Sequence, residues 1–331
     1  MNVLALFDGM SCGRLALDRA GIKIDKYYAS EIDKYAIQVT QKNYPDTIQL
    51  GDIKNWNNWK LPKIDLILGG SPCQGFSMAG QHLNFEDERS KLFFEFVKCI
   101  KHFKPRYFLL ENVKMKKEFQ DIISDLLGVQ PIEINSALLS AQSRKRLYWT
   151  NIPDVTQPKD KNIYLKDILE DDSITDRDKS YCIDANYHKG ANYEQYKNKH
   201  RRQLVGTNRC IQVGEANLRG HDSIKRVYSP EGKSPCLTTM GGGHREPKVS
   251  VIRDKSKSIR AGGRLSYDRH EWDSADELHW RKLTPLECER LQTVPDNYTE
   301  GVSNTQRYKM LGNGWTVDVI AHIIQSMETP Q

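Results

Sequence analysis

The chain has 331 residues, 38% of them hydrophobic, and a formal net charge of +6; with a mean hydropathy of −0.66 it is long enough for a core domain plus a smaller appended one. No apolar run approaches the roughly 18 residues of a membrane-spanning helix, the first ten residues lack the basic start of a secretion signal, and the seven cysteines include no C-x-x-C pair. These features exclude a helical membrane protein and a zinc ribbon, and a cytoplasmic protein with free thiols, no metal and no membrane partner is expected.

Asn2 to Leu6 is a short apolar run that reads as a strand. It leads into Phe7-Asp8-Gly9-Met10-Ser11-Cys12-Gly13, after which Leu15, Leu17 and Ala20 recur with helical spacing up to Gly21. A strand, a glycine turn and a helix let backbone amides approach a ligand closely. The glycine spacing fits neither G-x-x-x-x-G-K-S/T nor G-x-G-x-x-G, so a phosphate cradle is disfavoured. Lys26-Tyr27-Tyr28-Ala29-Ser30-Glu31 reads as a second strand ending in an acid, the position at which ribose hydroxyls are bound in doubly wound sheets. A third unit over residues 47–52 ends in Gly51-Asp52-Ile53 and brings Asp52 within reach of an adenine amino group. Each acid alone is an ordinary surface cap, but Gly, Glu and Asp at three successive strand ends favour a nucleoside pocket.

The fourth apolar run, Leu66-Ile67-Leu68-Gly69-Gly70, stops at Ser71-Pro72-Cys73-Gln74. Pro72 fixes its own φ and holds Ser71 extended, so the strand ends there and presents the Cys73 thiol in a defined direction. Gly75 and Gly80 allow the loop beyond it to move. A free cysteine is more often a small buried residue than a nucleophile, so Cys73 gains meaning only from its neighbours. Leu92, Phe93, Phe96, Val97 and Ile100 mark an amphipathic helix, which Pro105 ends. Tyr107-Phe108-Leu109-Leu110 is a fifth strand, and it ends in Glu111-Asn112-Val113. A carboxylate at the end of the strand beside Cys73 shares its crevice, where open α/β sheets bind ligands. Residues 132–135 and 146–149 read as further strands flanking Gln142-Ser143-Arg144-Lys145-Arg146. The alternation of strands and helices over the first 150 residues predicts an α/β fold with a mostly parallel, doubly wound sheet.

From about residue 154 to 280 the periodicity fades. Residues 201–264 carry 14 Lys and Arg against five acids, whereas the rest of the chain carries 35 against 38. A basic segment on a near-neutral body is the electrostatic footprint of a phosphate-backbone partner, although a solvated surface of the same composition is common. Regular structure resumes at Leu283-Thr284-Pro285-Leu286-Glu287-Cys288, where Thr284 caps a helix, Pro285 opens it and Glu287 completes a capping box. Leu311-Gly312-Asn313-Gly314-Trp315 and a last helix from Val317 to Ser326 follow. The expected division is a core over 1–153, a smaller irregular domain over 154–280, and a segment over 281–331 that returns to the core.

In order and spacing, Phe7-Asp8-Gly9 with Gly13, Ser71-Pro72-Cys73-Gln74, Glu111-Asn112-Val113, Gln142-x-Arg144-x-Arg146, Arg281 to Gln292 and Gly312-Asn313-Gly314 resemble the motifs of the C5-cytosine DNA methyltransferase family, bacterial and phage type. Tyr28-Ala29-Ser30-Glu31, Lys91 to Phe96 and Trp315-x-Val317 are similar to its de novo branch. Residues 228–239 resemble a target-recognition region, with Cys236 where a threonine is expected.

The resemblance implies an S-adenosylmethionine-dependent, Rossmann-like methyltransferase that releases S-adenosylhomocysteine and needs no metal. It implies that Cys73 adds to C6 of a cytosine flipped out of duplex DNA, that Glu111 stabilises a proton at N3, that Arg146 holds O2 and that Arg144 braces the pocket. It assigns Phe7, Asp8, Gly9, Gly13, Glu31, Ile32, Asp52, Ile53, Pro72, Asn313 and Trp315 to the cofactor. It makes 154–280 the target-recognition domain and Arg281 to Gln292 a scaffold for it. Double-stranded DNA is the implied partner, with a cognate restriction nuclease as a companion in some systems and the oligomeric state open. A tRNA cytosine-5 methyltransferase and a catalytically silent DNA-binding regulator stand as alternatives; intact Cys73, Glu111 and Arg146 argue against the silent form.

Overall fold

The computed structural model describes residues 1–71, 88–190, 196, 198–206, 212–215, 226–228, 248–249 and 280–327. Among these, a seven-stranded sheet takes the order β3-β2-β1-β4-β5-β7-β6. Its strands are β1 (Asn2–Leu6), β2 (Lys26–Ser30), β3 (Ile48–Gln49), β4 (Leu66–Gly69), β5 (Tyr107–Val113), β6 (Ile132–Asn135) and β7 (Lys145–Thr150). The first five pair in parallel, and β7 runs antiparallel to both β5 and β6. The mostly parallel, doubly wound sheet expected from the alternation is present, with one antiparallel strand.

β1, β2, β4 and β5 are buried at nearly every position, as the inner strands of a parallel sheet require. The helices are α1 (Cys12–Arg19), α2 (Lys34–Asn43), α3 (Glu88–Phe103), α4 (Lys117–Leu127), α5 (Pro285–Leu291), α6 (Asn304–Asn313) and α7 (Val317–Ile324). Leu4, Leu6, Ile67, Phe93, Phe96, Leu110 and Trp149 belong to one buried cluster. α5 opens with the expected capping box: the Thr284 hydroxyl accepts from the Glu287 amide, and Glu287 accepts from the Thr284 amide.

The register of the sheet positions the site. Leu6 is paired with Ser30 on one side and Gly69 on the other, and Gly69 with Leu110. The residues that follow, Phe7, Glu31, Gly70 and Glu111, therefore stand in one row at the carboxyl edge. The strand order reverses between β1 and β4, and it is at such a switch point that a parallel sheet opens a crevice.

The chain divides into two compact units elsewhere than at 153. The larger comprises Met1–Ile168, Arg177–Gln203 and Leu283–Gln331; the smaller comprises Leu169–Asp176 and Leu204–Lys282. Residues 177–203 join the core because their polar groups complete it. Lys179 donates to the carbonyls of Ala137, Ser140 and Ile163, and the Ile183 amide donates to Gln142. In the smaller unit, β8 (Leu204–Gly206) pairs antiparallel with β12 (Trp280–Lys282), and β9 (Gln212–Glu215), β10 (Arg226–Tyr228) and β11 (Lys248–Val249) form a second small sheet. Most of the basic segment 201–264 lies outside the described residues, as do residues 229–239. No helix among the described residues is long and apolar enough to cross a membrane.

Candidate active site

A cavity of about 610 Å³ opens along the carboxyl edge of the sheet, lined entirely by the larger unit. Of the expected cofactor residues, Phe7, Asp8, Gly9, Glu31, Ile32, Asp52, Ile53, Asn313 and Trp315 line it, together with Glu111, Arg144 and Arg146. Pro72 and Cys73 lie outside the described residues; the chain is described as far as Ser71, at the cavity wall.

Gly13 does not line the cavity. A methyl group at its Cα would come within 2.8 Å of Leu68 and 3.4 Å of the Trp315 ring, so this glycine makes room for side chains packed behind the wall. Ile32 lines the cavity although it is 74% exposed. Asp52 also caps the short 3-10 helix that follows it, accepting from the Lys54 amide at 3.0 Å.

The turn after β1 is held in a costly shape. Phe7, Gly9 and Ser11 all have φ near +60°, a region that disfavours side chains by about 1–2 kcal/mol. Polar contacts fix it. Glu31 accepts from the Gly9 amide at 2.7 Å through one oxygen, and from the Ile32 and Asp33 amides at 2.8 Å through the other. Asp8 accepts from the Ser11 hydroxyl and, at 2.7 Å, from the Tyr27 hydroxyl. Burial pushes the Asp8 carboxyl up to about 7, with the Glu31 charge adding to it and the two hydroxyls opposing it. Burial likewise pushes the Cys12 thiol up to about 12, so Cys12 is a packing residue rather than a nucleophile.

At the other end of the cavity, Glu111 is held on both oxygens. Arg146 Nε lies 3.0 Å from Oε1, and Trp315 Nε1 donates to Oε2 at 3.1 Å. Burial lowers the Arg146 pKa, but the Glu111 charge and the Cys182 sulfur outweigh it and the net direction is upward. Arg144 is buried and braces the wall, donating to the carbonyls of Ile183, Gly312 and Gly314. Asn112 reaches the Ser71 hydroxyl at 3.3 Å, which ties the end of β5 to the residue where the β4 loop begins.

Within Arg281 to Gln292, the last residue supports this cavity. Gln292 is fully buried and donates to the carbonyls of Leu311 and Gly314, holding the turn that carries Asn313 and Trp315. Arg281 and Lys282 belong to the smaller unit, where Arg281 pairs with Asp171 at 2.8 Å. Sequence reasoning misses Asp33 and Lys309, which pair at 2.7 Å in the cavity lining. Asp33 carries a signal as the N-cap of α2; Lys309 carries none, because its partner is 276 positions away.

The lining suits a nucleoside with a cationic substituent. Asp8, Glu31, Asp33 and Asp52 supply carboxylates, and Phe7, Ile32, Ile53 and Leu92 supply apolar surface for a ring. The volume falls in the usual range for ligand pockets, roughly 300–1,000 Å³.

Comparison with known proteins agrees. The sequence model of the family described as C-5 cytosine-specific DNA methylase matches residues 1–329. The orphan methyltransferase M.SPBetaI of Bacillus phage SPbeta is 30% identical, over 99% of this chain and 97% of the relative. The type II methyltransferase M.HhaI of Haemophilus parahaemolyticus is 28% identical, over 98% and 93%. The Entamoeba histolytica methyltransferase EhMeth shares the fold with a TM-score of 0.64 at 16% identity, over 98% of this chain and 97% of that one. A putative DNA modification methyltransferase from an E. coli prophage does so with a TM-score of 0.57 at 22% identity, over 98% of each chain. The chain belongs to the C-5 cytosine-specific DNA methylases, enzymes that transfer a methyl group from S-adenosylmethionine to C5 of cytosine in DNA.

Proposed function

We propose that Cys73, Glu111 and Arg146 carry the chemistry, and that the cavity from Phe7 to Trp315 holds S-adenosylmethionine. The observation that carries this reading is the row Phe7, Glu31, Gly70 and Glu111, which aligns the nucleoside end of the cavity with the carboxylate beside the Cys73 loop. The bound cofactor supplies an electrophilic methyl group on a sulfonium, which the acidic lining attracts.

The Cys73 thiolate adds to C6 of the cytosine, and the ring electrons move toward C5, N3 and O2. Glu111 holds the proton at N3, and Arg146 bonds O2, so the developing charge is stabilised where it appears. After C5 is methylated, loss of its proton and of the Cys73 sulfur restores the aromatic ring. Cys73 is suited to this because sulfur is nucleophilic even when only a few per cent of it is thiolate. The base must leave the helix to reach these groups, at a cost of a few kcal/mol. The basic segment 201–264 supplies cations for the DNA phosphates that oppose this cost, and the smaller unit serves as the target-recognition domain.

Purified protein incubated with plasmid DNA and labelled cofactor tests the assignment. Cys73→Ser and Glu111→Ala are expected to lose nearly all transfer, and bisulfite sequencing of the product identifies the target. Full activity of Cys73→Ser rejects the covalent route, and transfer to tRNA in preference to plasmid rejects DNA as the substrate.

A further inference from the structure

The Glu111 carboxylate is gripped from two sides, and one grip comes from the cofactor wall. Trp315 Nε1 donates to Oε2 at 3.1 Å while Arg146 Nε binds Oε1. Two donors on two different oxygens fix the plane of a carboxylate, which a single contact leaves free to rotate. Their arrangement is built rather than incidental. A side chain at Gly70 would place its Cβ 2.9 Å from Trp315 Nε1, and one at Gly13 would meet the same ring at 3.4 Å. Glycine at both positions therefore leaves the slot that the indole fills. The Gly314 carbonyl just before Trp315 accepts from Arg144 and Gln292, which holds the residue from behind.

From this we infer that Trp315 is a positioning residue for Glu111: its indole N–H sets the carboxylate toward the target base, while its ring forms part of the cofactor wall. The inference rests on the assignment of Glu111 to the cytosine made above. It divides Trp315 into two separable parts, a ring surface and a donor. Phenylalanine keeps most of the surface and removes the donor.

The test uses the full-length Trp315→Phe and Trp315→Leu proteins, Glu111→Ala, and the double variant Trp315→Phe with Glu111→Ala. Affinity for S-adenosylhomocysteine is measured by calorimetry and methyl transfer to plasmid DNA under single-turnover conditions. Trp315→Phe is expected to bind S-adenosylhomocysteine within about twofold of the parent, yet to transfer methyl groups about tenfold to a hundredfold more slowly, the size of a lost hydrogen bond to a charged group. Trp315→Leu is expected to lose affinity as well. In the Glu111→Ala background, Trp315→Phe should add no further loss, because its target is gone.

A Trp315→Phe rate within twofold of the parent overturns the inference. So does a loss confined to cofactor affinity, or a loss that multiplies fully with that of Glu111→Ala. Full activity of Glu111→Ala removes the Glu111 assignment and the inference with it; a slow Glu111→Ala beside an unimpaired Trp315→Phe removes the inference alone.

Discussion

Arg146 reaches Glu111 through Nε, at 3.0 Å from Oε1, and so keeps both terminal nitrogens for other partners. Nη1 donates to the Lys145 carbonyl at 2.8 Å, and Nη2 faces the Cys182 sulfur at 3.8 Å. A lysine carries the charge but not this fork. Arg146→Lys is expected to fold and to lose about a hundredfold in single-turnover transfer. Arg146→Ala strands a largely buried carboxylate and should cost about 3 kcal/mol in urea unfolding. Near-normal turnover of Arg146→Lys would show that charge alone suffices.

Asp8 makes stability depend on pH in an unusual direction. Its carboxyl is raised from 3.8 to about 7 by burial, so the folded chain holds this proton more tightly than the unfolded chain. The Asp8 contribution is fully present at the acid end and is lost as pH rises from 3.8 to about 7. Asp25, Asp33, Asp46, Asp171 and Asp296 are lowered and act in the opposite sense, so the informative quantity is the difference between the parent and Asp8→Asn. The Tm of Asp8→Asn relative to the parent should climb between pH 4 and pH 7 and then level off. A difference that stays constant over that window would refute the assignment.

Two glycines of the motifs fail differently when given a side chain. At Gly312 a Cβ would lie 2.2 Å from the Asp184 carbonyl carbon and 2.4 Å from the Ala185 nitrogen, both main chain. Backbone cannot swing aside as a side chain can, so Gly312→Ala is expected to cost about 3 kcal/mol or more and to yield little soluble protein. At Gly9 nothing lies within 4 Å, and only the φ of +59° resists. Gly9→Ala should therefore fold with a loss of about 1–2 kcal/mol, and its deficit should appear in cofactor affinity. Thermal melts and calorimetry on the two proteins separate these cases.

The different fates of Gly312 and Gly9 show where sequence is informative. Gly9, Glu31, Asp52 and Glu111 each follow or end a strand whose apolar period is local, so their shared edge is legible in the chain itself. Gly312 reads as part of a Gly-Asn-Gly motif, yet it is small because the main chain at Asp184, far upstream, packs on it. The expected boundary at 153 fails for the same reason: residues 177–203 show no periodicity, and what binds them to the core is a set of long-range bonds such as Lys179 to Ala137. Trp315 and Glu111 are 204 positions apart, and no local pattern announces that pair. Closing long loops costs entropy that local propensity does not record.

Cys182 lies in that returning segment and gives it a bearing on the chemistry. Its sulfur accepts from Arg144 Nη1 at 3.2 Å and stands 3.8 Å from Arg146 Nη2, so one thiol spans the bracing arginine and the one assigned to the base. Arg144 has three carbonyl partners besides the sulfur and should hold its place without it. Among the described residues, Arg146 has the Lys145 carbonyl and Glu111 in addition. Cys182→Ala is therefore expected to leave the melting temperature nearly unchanged and to slow methyl transfer several-fold through looser placement of Arg146. Cys182→Ser restores a shorter acceptor and should recover most of the rate. Equal rates for the alanine, serine and parent proteins would show that Glu111 and the Lys145 carbonyl between them already hold the arginine in place.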